Sequence, residues 1–321
     1  MKSQTLIRKI MKNPTSGPYI ALILLCVIAS FAAPDLFPTI KNISNILRQV
    51  SIVGVVSIGM TIVLLIGSID LSVTYVMAIS ACVFANISKD LIEAGQPGLW
   101  FLPFICILLF GLVIGLLNGI MVVYRNVESF IITLGMGQVL RGLNYIYTRG
   151  APGGTVTPFW KSIGSDSLFG VIPYLVIMLA VLMAIFWIVL KKTVYGRHLY
   201  AIGSNKEAAH LSGIKVKRDK IIAFMLCGLT ASIAGIMLAA RVRVGEPNGS
   251  NGYDMDAIAA VVIGGTAMSG GVGSLAGTIA GVLIMAIMNN FLNLIGADPN
   301  LQIVIKGIIV LVAVLIQRKS K

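Results

Sequence analysis

Apolar stretches long enough to cross a membrane recur along almost the whole chain. About 20 apolar residues span the hydrocarbon core of a bilayer. Ten segments of roughly that length alternate with short polar loops, at 18–33, 46–66, 72–88, 100–123, 129–147, 171–190, 221–240, 254–268, 274–293 and 300–317. The composition agrees, since 57% of the residues are hydrophobic and only 12% are charged. The sequence therefore predicts an all-α, polytopic membrane protein with about ten transmembrane helices.

The loops between these segments are too short to fold as separate domains. We expect a tail at 1–17, a transmembrane domain at 18–317 that includes a long polar loop at 191–220, and a second tail at 318–321. The N-terminal segment is basic and then polar, with no small-residue cleavage site after the apolar run that follows, so we interpret that run as an uncleaved first span. No segment has room for a domain that hydrolyses nucleotide.

The net charge of +13 raises the question of a nucleic-acid partner, and the distribution of the charge answers it. With the N-terminus placed inside, 16 of the 25 Lys and Arg residues fall in inside segments, seven in outside segments and two within spans. Membrane proteins concentrate Lys and Arg in cytoplasmic loops. We therefore expect both termini and the 191–220 loop to be cytoplasmic, and we expect no nucleic-acid partner.

Catalytic and metal-binding patterns do not emerge from the sequence. The cysteines, Cys26, Cys82, Cys106 and Cys227, all lie in apolar runs without metal-ligand spacing. The glycine-rich stretch GGTAMSGGVGSLAG, at 264–277, lacks the lysine and hydroxyl of a P-loop. It is predicted to be a tight turn between two spans. We expect no enzyme activity, no cofactor and no metal site.

Two spans carry glycine at every fourth residue, which places the glycines on one face of a helix. Gly111, Gly115 and Gly119 form one stripe, and the other consists of Gly273, Gly277 and Gly281. Small residues at this spacing let helix backbones approach closely in lipid. Both stripes are predicted to be packing seams.

Polar side chains inside or between the spans are the candidates for a translocation path. They are Ser68, Asp70, Ser72, Asn118, Asn289 and Asn290. A carboxylate at membrane depth usually faces a bundle interior or a water-filled cavity, whereas one between two helices also serves to cap the second helix. Both interpretations of Asp70 are kept, and the asparagines are interpreted either as path residues or as links between helices.

Two basic residues, Arg141 and Lys306, fall within predicted spans, where a charge needs a partner or an aqueous route. Asp254 and Asp256, at the start of the eighth span, are the predicted partners.

The stretch SNKEAAHLSGI, at 204–214, indicates a short helix within the polar loop. Ser204 precedes Glu207 by three residues, which is the spacing of a capping box, and Gly213 is typical of a helix end. Two helical turns are not stable alone in water, so this helix is expected to pack against something. Its small face, formed by Ala208, Leu211 and Ser212, fits a groove on another protein. A connector resting on the bilayer surface is the alternative.

The motif EAAHLSG resembles the EAAxxxG pattern by which permease subunits of bacterial ABC importers dock into their ATPases. Its surroundings, YGRHLYAIGSNKEAAHLSGI, together with GSIDLSV and YDMDAIAAVVIGGTAMSGGVGSLAGTIAGVLI, resemble the ribose-type monosaccharide permease family over nearly the whole chain. Thr74 departs from the pattern, where a small residue such as glycine is expected.

The resemblance implies a homodimer that forms one translocation path in the bacterial inner membrane. It further implies a periplasmic sugar-binding protein outside and a cytoplasmic ATPase with two fused nucleotide domains inside. The ATPase-coupling residues it implies are Gly196, Arg197, Gly203, Ser204, Asn205, Glu207, Ala208, Ala209, Leu211 and Gly213. An ion- or proton-coupled secondary transporter that uses Asp70 for coupling is the alternative function.

Overall fold

A computed structural model describes residues 16–125 and 127–318. The helices of this part are α1 Ser16–Ala32, α2 Ile40–Leu65, α3 Val73–Glu93, α4 Phe101–Arg125, α5 Ser129–Thr148, α6 Pro158–Ser165, α7 Tyr174–Lys192, α8 Val194–Ser204, α9 Lys206–Leu211, α10 Val216–Val242, α11 Tyr253–Ile263, α12 Leu275–Leu294 and α13 Pro299–Arg318. A 3-10 turn, Pro97–Leu99, precedes α4, and the short strands β1 Ser167–Leu168 and β2 Ile172–Pro173 pair antiparallel. Nearly all of the predicted N-terminal tail and residues 319–321 of the C-terminal tail lie outside the described residues.

The described helices confirm an all-α chain that crosses a membrane several times. Six of them are long and apolar enough to span a bilayer: α2, α3, α4 with its preceding turn, α7, α10 and α12. Shorter apolar runs, Gly17–Ala32 and Pro299–Val312, lie in α1 and α13. Each of the ten predicted spans corresponds to one helix, with α5 and α11 as the remaining two.

Some predicted boundaries were wrong. The eighth span was expected to reach residue 268, but α11 ends at Ile263, because Gly264 caps it and Gly265 takes a φ of +89° that favours glycine. The sixth span starts at Tyr174 and not at 171, because the chain first forms the β1–β2 pair. Helix α6, between the fifth and sixth spans, was not predicted.

The first glycine stripe packs α4 against α10, the helix at the centre of the bundle. Added methyl groups show how close the backbones are: one on Gly115 would overlap the carbonyl oxygen of Phe224, and one on Gly119 would lie 2.9 Å from the Cα of Ile221. A methyl group on Gly228 of α10 would likewise overlap the carbonyl oxygen of Gly111. The predicted seam is confirmed.

The second stripe packs α12 against α11 and the turn between them. A methyl group on Gly277 would overlap the carbonyl oxygen of Gly264, and one on Gly281 would overlap that of Ala260. This seam is confirmed for Gly277 and Gly281, whereas Gly273 lies in the turn before α12. It holds the segment 264–274 as a compact turn, as the sequence predicts.

Two turns, 66–72 after α2 and 264–274 after α11, meet at one end of the bundle. The amide of Gly271 donates to the carbonyl oxygen of Leu65, at 2.9 Å. The start of α1 lies at the same end, where the hydroxyl of Tyr19 donates to the carbonyl oxygen of Ala276. Helices α8 and α9 cover this end, which is therefore where the candidate site is built.

Candidate functional site

Helix α8 begins at a threonine cap and runs to Ser204. The Thr193 hydroxyl accepts a hydrogen bond from the amide of Gly196, at 3.2 Å, and the amide of Asn205 donates to the carbonyl oxygen of Ala201, at 3.0 Å. Ser204 is thus the last residue of α8. The prediction that Ser204 caps the following helix is wrong.

The cap of α9 is Asn205. Its backbone is extended, with φ −158° and ψ 106°, and its Oδ1 accepts a hydrogen bond from the amide of Ala208, at 2.9 Å. Asparagine and serine cap equally well, so the choice depends on where α8 ends. Glu207 lies in the first turn of α9, where a negative side chain is favoured by the helix dipole.

The other end of α9 is closed as predicted. Gly213 takes a φ of +82°, its amide donates to the carbonyl oxygen of His210 at 3.0 Å, and the amide of Ile214 donates to that of Ala209 at 3.1 Å. This pair of bonds is a Schellman motif, which satisfies carbonyl groups at a helix end. Gly213 is confirmed as the stop, and α9 has six residues, slightly less than the two turns expected.

One side of α9 packs on the protein and the opposite side is open. Ala209 is buried, whereas Ala208, Leu211 and Ser212 are exposed. Leu211 is 87% exposed. The face that the sequence assigns to a partner is therefore uncovered in the described part of the chain.

Helix α8 lies directly on both turns at this end of the bundle. A methyl group on Gly203 would overlap the carbonyl oxygen of Leu65 and the amide of Gly271, so the three backbones are in contact. The hydroxyl of Tyr200 donates to the carbonyl oxygen of Gly273, at 3.0 Å. The displacement of α8 would thus be transmitted to both turns.

Gly196 and Arg197, the remaining predicted coupling residues of α8, lie at its start. Gly196 is buried against the carbonyl oxygens at the end of α7, where a side chain would not fit. Arg197 is exposed and donates a long hydrogen bond to the carbonyl oxygen of Thr193, at 3.4 Å.

A buried acid that sequence reasoning missed, Asp219, joins α8 to α10. His198 Nδ1 lies 2.7 Å from Asp219 Oδ2, Arg218 contacts Asp219 Oδ1 at 2.9 Å, and the Tyr195 hydroxyl donates to the Asp219 carbonyl oxygen at 3.2 Å. Burial, with the nearby carboxylate of Asp219, raises the pKa of Tyr195. The available signal was a single acid within the basic run KVKRDK.

Asp70, Ser72 and Asn118 form one hydrogen-bonded cluster at the same end. The amide and the hydroxyl of Ser72 both donate to Asp70 Oδ1, at 2.9 and 2.6 Å, and Asn118 Nδ2 donates to Ser72 Oγ at 2.9 Å. Ser68 is buried nearby in the same turn. Burial raises the pKa of the Asp70 carboxyl, and the bonds from Ser72 act in the opposite direction.

The turn that carries Asp70 is also held by α5. The Ser129 hydroxyl accepts a hydrogen bond from the amide of Ile69, at 2.9 Å, and the Thr133 hydroxyl accepts one from the amide of Leu71, at 3.0 Å. The prediction that Asp70 caps α3 is wrong, because the cap residue is Ser72 and Asp70 bonds to Ser72 within the turn before the helix. Neither hydroxyl stood out in the sequence.

Asn289 and Asn290 lie near the opposite end of the bundle. Asn289 Nδ2 donates to Asp256 Oδ2 at 3.2 Å. Asn290 and Asn42 exchange two hydrogen bonds, at 2.7 and 3.0 Å. The structure therefore divides the six predicted path residues into two separate groups, and the two asparagines link α12 to α11 and α2.

The pairing of Lys306 with Asp256 is confirmed, at 2.9 Å from Nζ to Oδ1. The pairing of Arg141 with an acid is wrong. Its guanidinium lies over the rings of Tyr75 and Tyr145, 5.9 and 5.8 Å from their centroids, because aromatic faces also stabilise a cation.

Comparison with known proteins gives near-complete matches. A profile of the family described as "Branched-chain amino acid transport system / permease component" matches residues 42–314. The ribose import permease protein RbsC of Bacillus subtilis strain 168 is 41% identical over 308 residues, covering 95% of this chain and 92% of that protein. RbsC of Escherichia coli strain K12 is 39% identical over 307 residues, covering 94% and 93%.

A permease named for a different sugar also matches. The L-arabinose transport system permease protein AraH of Escherichia coli strain K12 is 35% identical over 308 residues, covering 94% of this chain and 90% of that protein. No solved structure matches.

Proposed function

This chain belongs to the permease-component family of branched-chain amino acid transport systems, and we propose that it forms the path by which an ABC importer carries a monosaccharide across the bacterial inner membrane. It is a membrane-embedded transport subunit and not an enzyme. The energy for import comes from ATP hydrolysis on a separate subunit.

A single observation carries the mechanism: the capped helix α9 is exposed on one side and continues into α8, which contacts both turns. Transmission of motion requires a rigid element with fixed ends and a free contact face. Asn205 and Gly213 fix the two ends, and Ala208 and Leu211 lie on the free face. We infer that α9 docks into a cytoplasmic ATPase and that α8 conveys closure of the ATPase to the membrane helices.

The substrate is proposed from the relatives. The matched proteins are named for import of ribose and L-arabinose, two pentoses. We infer that this chain carries ribose or a similar sugar, delivered by a periplasmic binding protein. Two copies of the chain, each with ten spans and both termini in the cytoplasm, would enclose the path within membrane lipid, and one ATPase with two fused nucleotide domains would serve both copies.

Five of the six polar residues predicted for the path are buried in this conformation, and Asn290 is half-buried. The group around Asp70 would meet substrate only when α3, α4 and α10 separate. We propose that this group forms the cytoplasmic boundary of the path and that Asn289 and Asn290 lie toward the opposite boundary.

Reconstituted vesicles test the function. The chain is inserted together with the ATPase and the sugar-binding protein encoded by neighbouring genes, and uptake of labelled ribose is measured. We expect uptake that requires ATP and both partner proteins. Uptake driven by a proton or sodium gradient, without ATP or the partners, would instead establish a secondary transporter.

A further inference from the structure

An open cavity of about 940 Å³ lies beside α9, between the end of α4 and the start of α10. Its described lining includes four lysines and one arginine, which are Lys206, Lys215, Lys217, Lys220 and Arg218, and a single carboxylate, Glu207. The cavity is thus strongly basic, and its walls are otherwise largely apolar.

The cations of this cavity are poorly compensated by the protein. Arg218 pairs with Asp219, but no carboxylate of the described residues forms an ion pair with any of the four lysines. Lys217 lies over the ring of Tyr124, with Nζ 5.3 Å from the centroid. Several cations facing one water-accessible space favour an anionic ligand with oxygen acceptors, such as a phosphate group.

An exposed apolar track on α4 leads to the cavity. Its members recur every three or four residues along one face, and each is at least 40% exposed: Leu109, Val113, Leu117, Ile120 and Tyr124. Tyr124 belongs both to this track and to the lining of the cavity. A ligand that matches both features has an anionic headgroup and a long apolar chain.

We propose that this cavity binds the phosphate headgroup of an anionic phospholipid, whose acyl chain lies along the exposed face of α4. Basic pockets between membrane helices on the cytoplasmic side are suited to such headgroups. The positive-inside arrangement of the chain places the cavity in that leaflet.

The proposed lipid site and the proposed docking face of α9 overlap only in part. Successive residues of a helix are rotated by about 100°, so Ala208 lies on the side opposite Lys206. Lys206 and His210 line the cavity together with Leu211, which also belongs to the proposed docking face, whereas Ala208 does not line it. The inference goes beyond the proposed function, and its test uses the purified chain without the ATPase, so the two can fail separately.

Native mass spectrometry of the purified chain tests the proposal. The protein is exchanged into mild detergent with phosphatidylglycerol or with phosphatidylcholine, and the lipids that remain bound are counted. We expect one phosphatidylglycerol to be retained per chain and phosphatidylcholine to be lost. The double variant K215Q/K220Q should weaken retention at least about tenfold, because each cation near an anionic lipid contributes about a factor of five.

The double variant K191Q/K192Q is the matched control, since it removes two lysines from the end of α7, outside the cavity. It should retain the lipid. Equal loss in the control would overturn the proposal, as would equal retention of the two lipids by the unaltered chain, a comparison that needs no variant. Displacement of the lipid by millimolar inorganic phosphate would show a free anion to be the ligand, and displacement by the ATPase would show a protein occupant.

Discussion

His198 Nδ1 lies 2.7 Å from Oδ2 of the fully buried Asp219, and this contact joins α8 to the first turns of α10. The same carboxylate accepts a hydrogen bond from Arg218, and the backbone carbonyl oxygen of Asp219 accepts one from the hydroxyl of Tyr195. The helix that rests on both turns is therefore attached to the central helix of the bundle.

Asp219→Ala should uncouple the ATPase while leaving the chain in the membrane. Because His198 and Arg218 are partly exposed and regain water, we expect a stability loss of about 1–3 kcal/mol from the lost charge-assisted hydrogen bonds. Sugar-stimulated ATP hydrolysis in vesicles and thermal unfolding in detergent are the measurements. Asp90→Asn, at an exposed position of α3, is the control. Full stimulation in Asp219→Ala would show that the contact is not part of the coupling route.

Asn205→Ala should weaken α9, because the amide of Ala208 loses its acceptor at a cost of about 1 kcal/mol. Co-purification of the ATPase with the permease is expected to fall without being abolished. Ser204→Ala is the matched control, since Ser204 is not the cap, and it should co-purify normally. The reverse order of the two variants would contradict the cap assignment.

Ala208→Trp should release the ATPase, because a large side chain on the open face of α9 prevents close docking. The permease should remain inserted, since Ala208 is exposed and has space around it. Asn251→Trp, exposed in the loop before α11, controls for bulk alone. If Ala208→Trp keeps both ATPase co-purification and stimulated hydrolysis, α9 is only a connector.

Gly115→Leu should separate α4 from α10, because the new side chain would overlap the backbone at Phe224. Overpacking of this kind costs about 1–3 kcal/mol, which thermal unfolding in detergent would detect. Gly142→Leu, on α5 with open space around it, is the control and should change the unfolding temperature much less. Equal effects of the two substitutions would remove the packing assignment.

Asp70→Asn tests the role of the carboxylate near the path. Asparagine keeps an oxygen that accepts from Ser72, so the turn should still form and the amount of folded protein should stay constant. We expect sugar uptake to fall, because the charge is lost at the proposed cytoplasmic boundary. A parallel fall in folded protein would mean that Asp70 serves only to hold the turn.

Features that depend on regular spacing could be predicted from the sequence. The stripe Gly111, Gly115 and Gly119 needs only the helical repeat, and the six helices long enough to span a bilayer need only apolar length. The terminus at Gly213 needs only local backbone chemistry. Each of these signals lies within about 20 consecutive residues, so no tertiary information is required.

Features that depend on contacts between distant segments could not be predicted. The role of Asp219 depends on its contact with His198, which lies on another helix. The partners of Arg141 are two aromatic rings that only the folded structure brings close. The predicted cap residue of α9 was wrong for a related reason. Ser204 and Asn205 are equally good caps, and which of them caps α9 follows from the packing of Gly203 on the turns. The hydroxyls of Thr133 and Ser129 accept hydrogen bonds from the turn after α2 only because that turn folds against α5.

The contact of Gly203 with Leu65 and Gly271 has a mechanical consequence. Where side chains separate two elements, they deform and absorb part of a displacement, but here backbone touches backbone on both sides. We therefore expect a displacement of α8 to reach both turns directly, because backbone lies against backbone there. If α9 docks as proposed, its displacement would move both turns together.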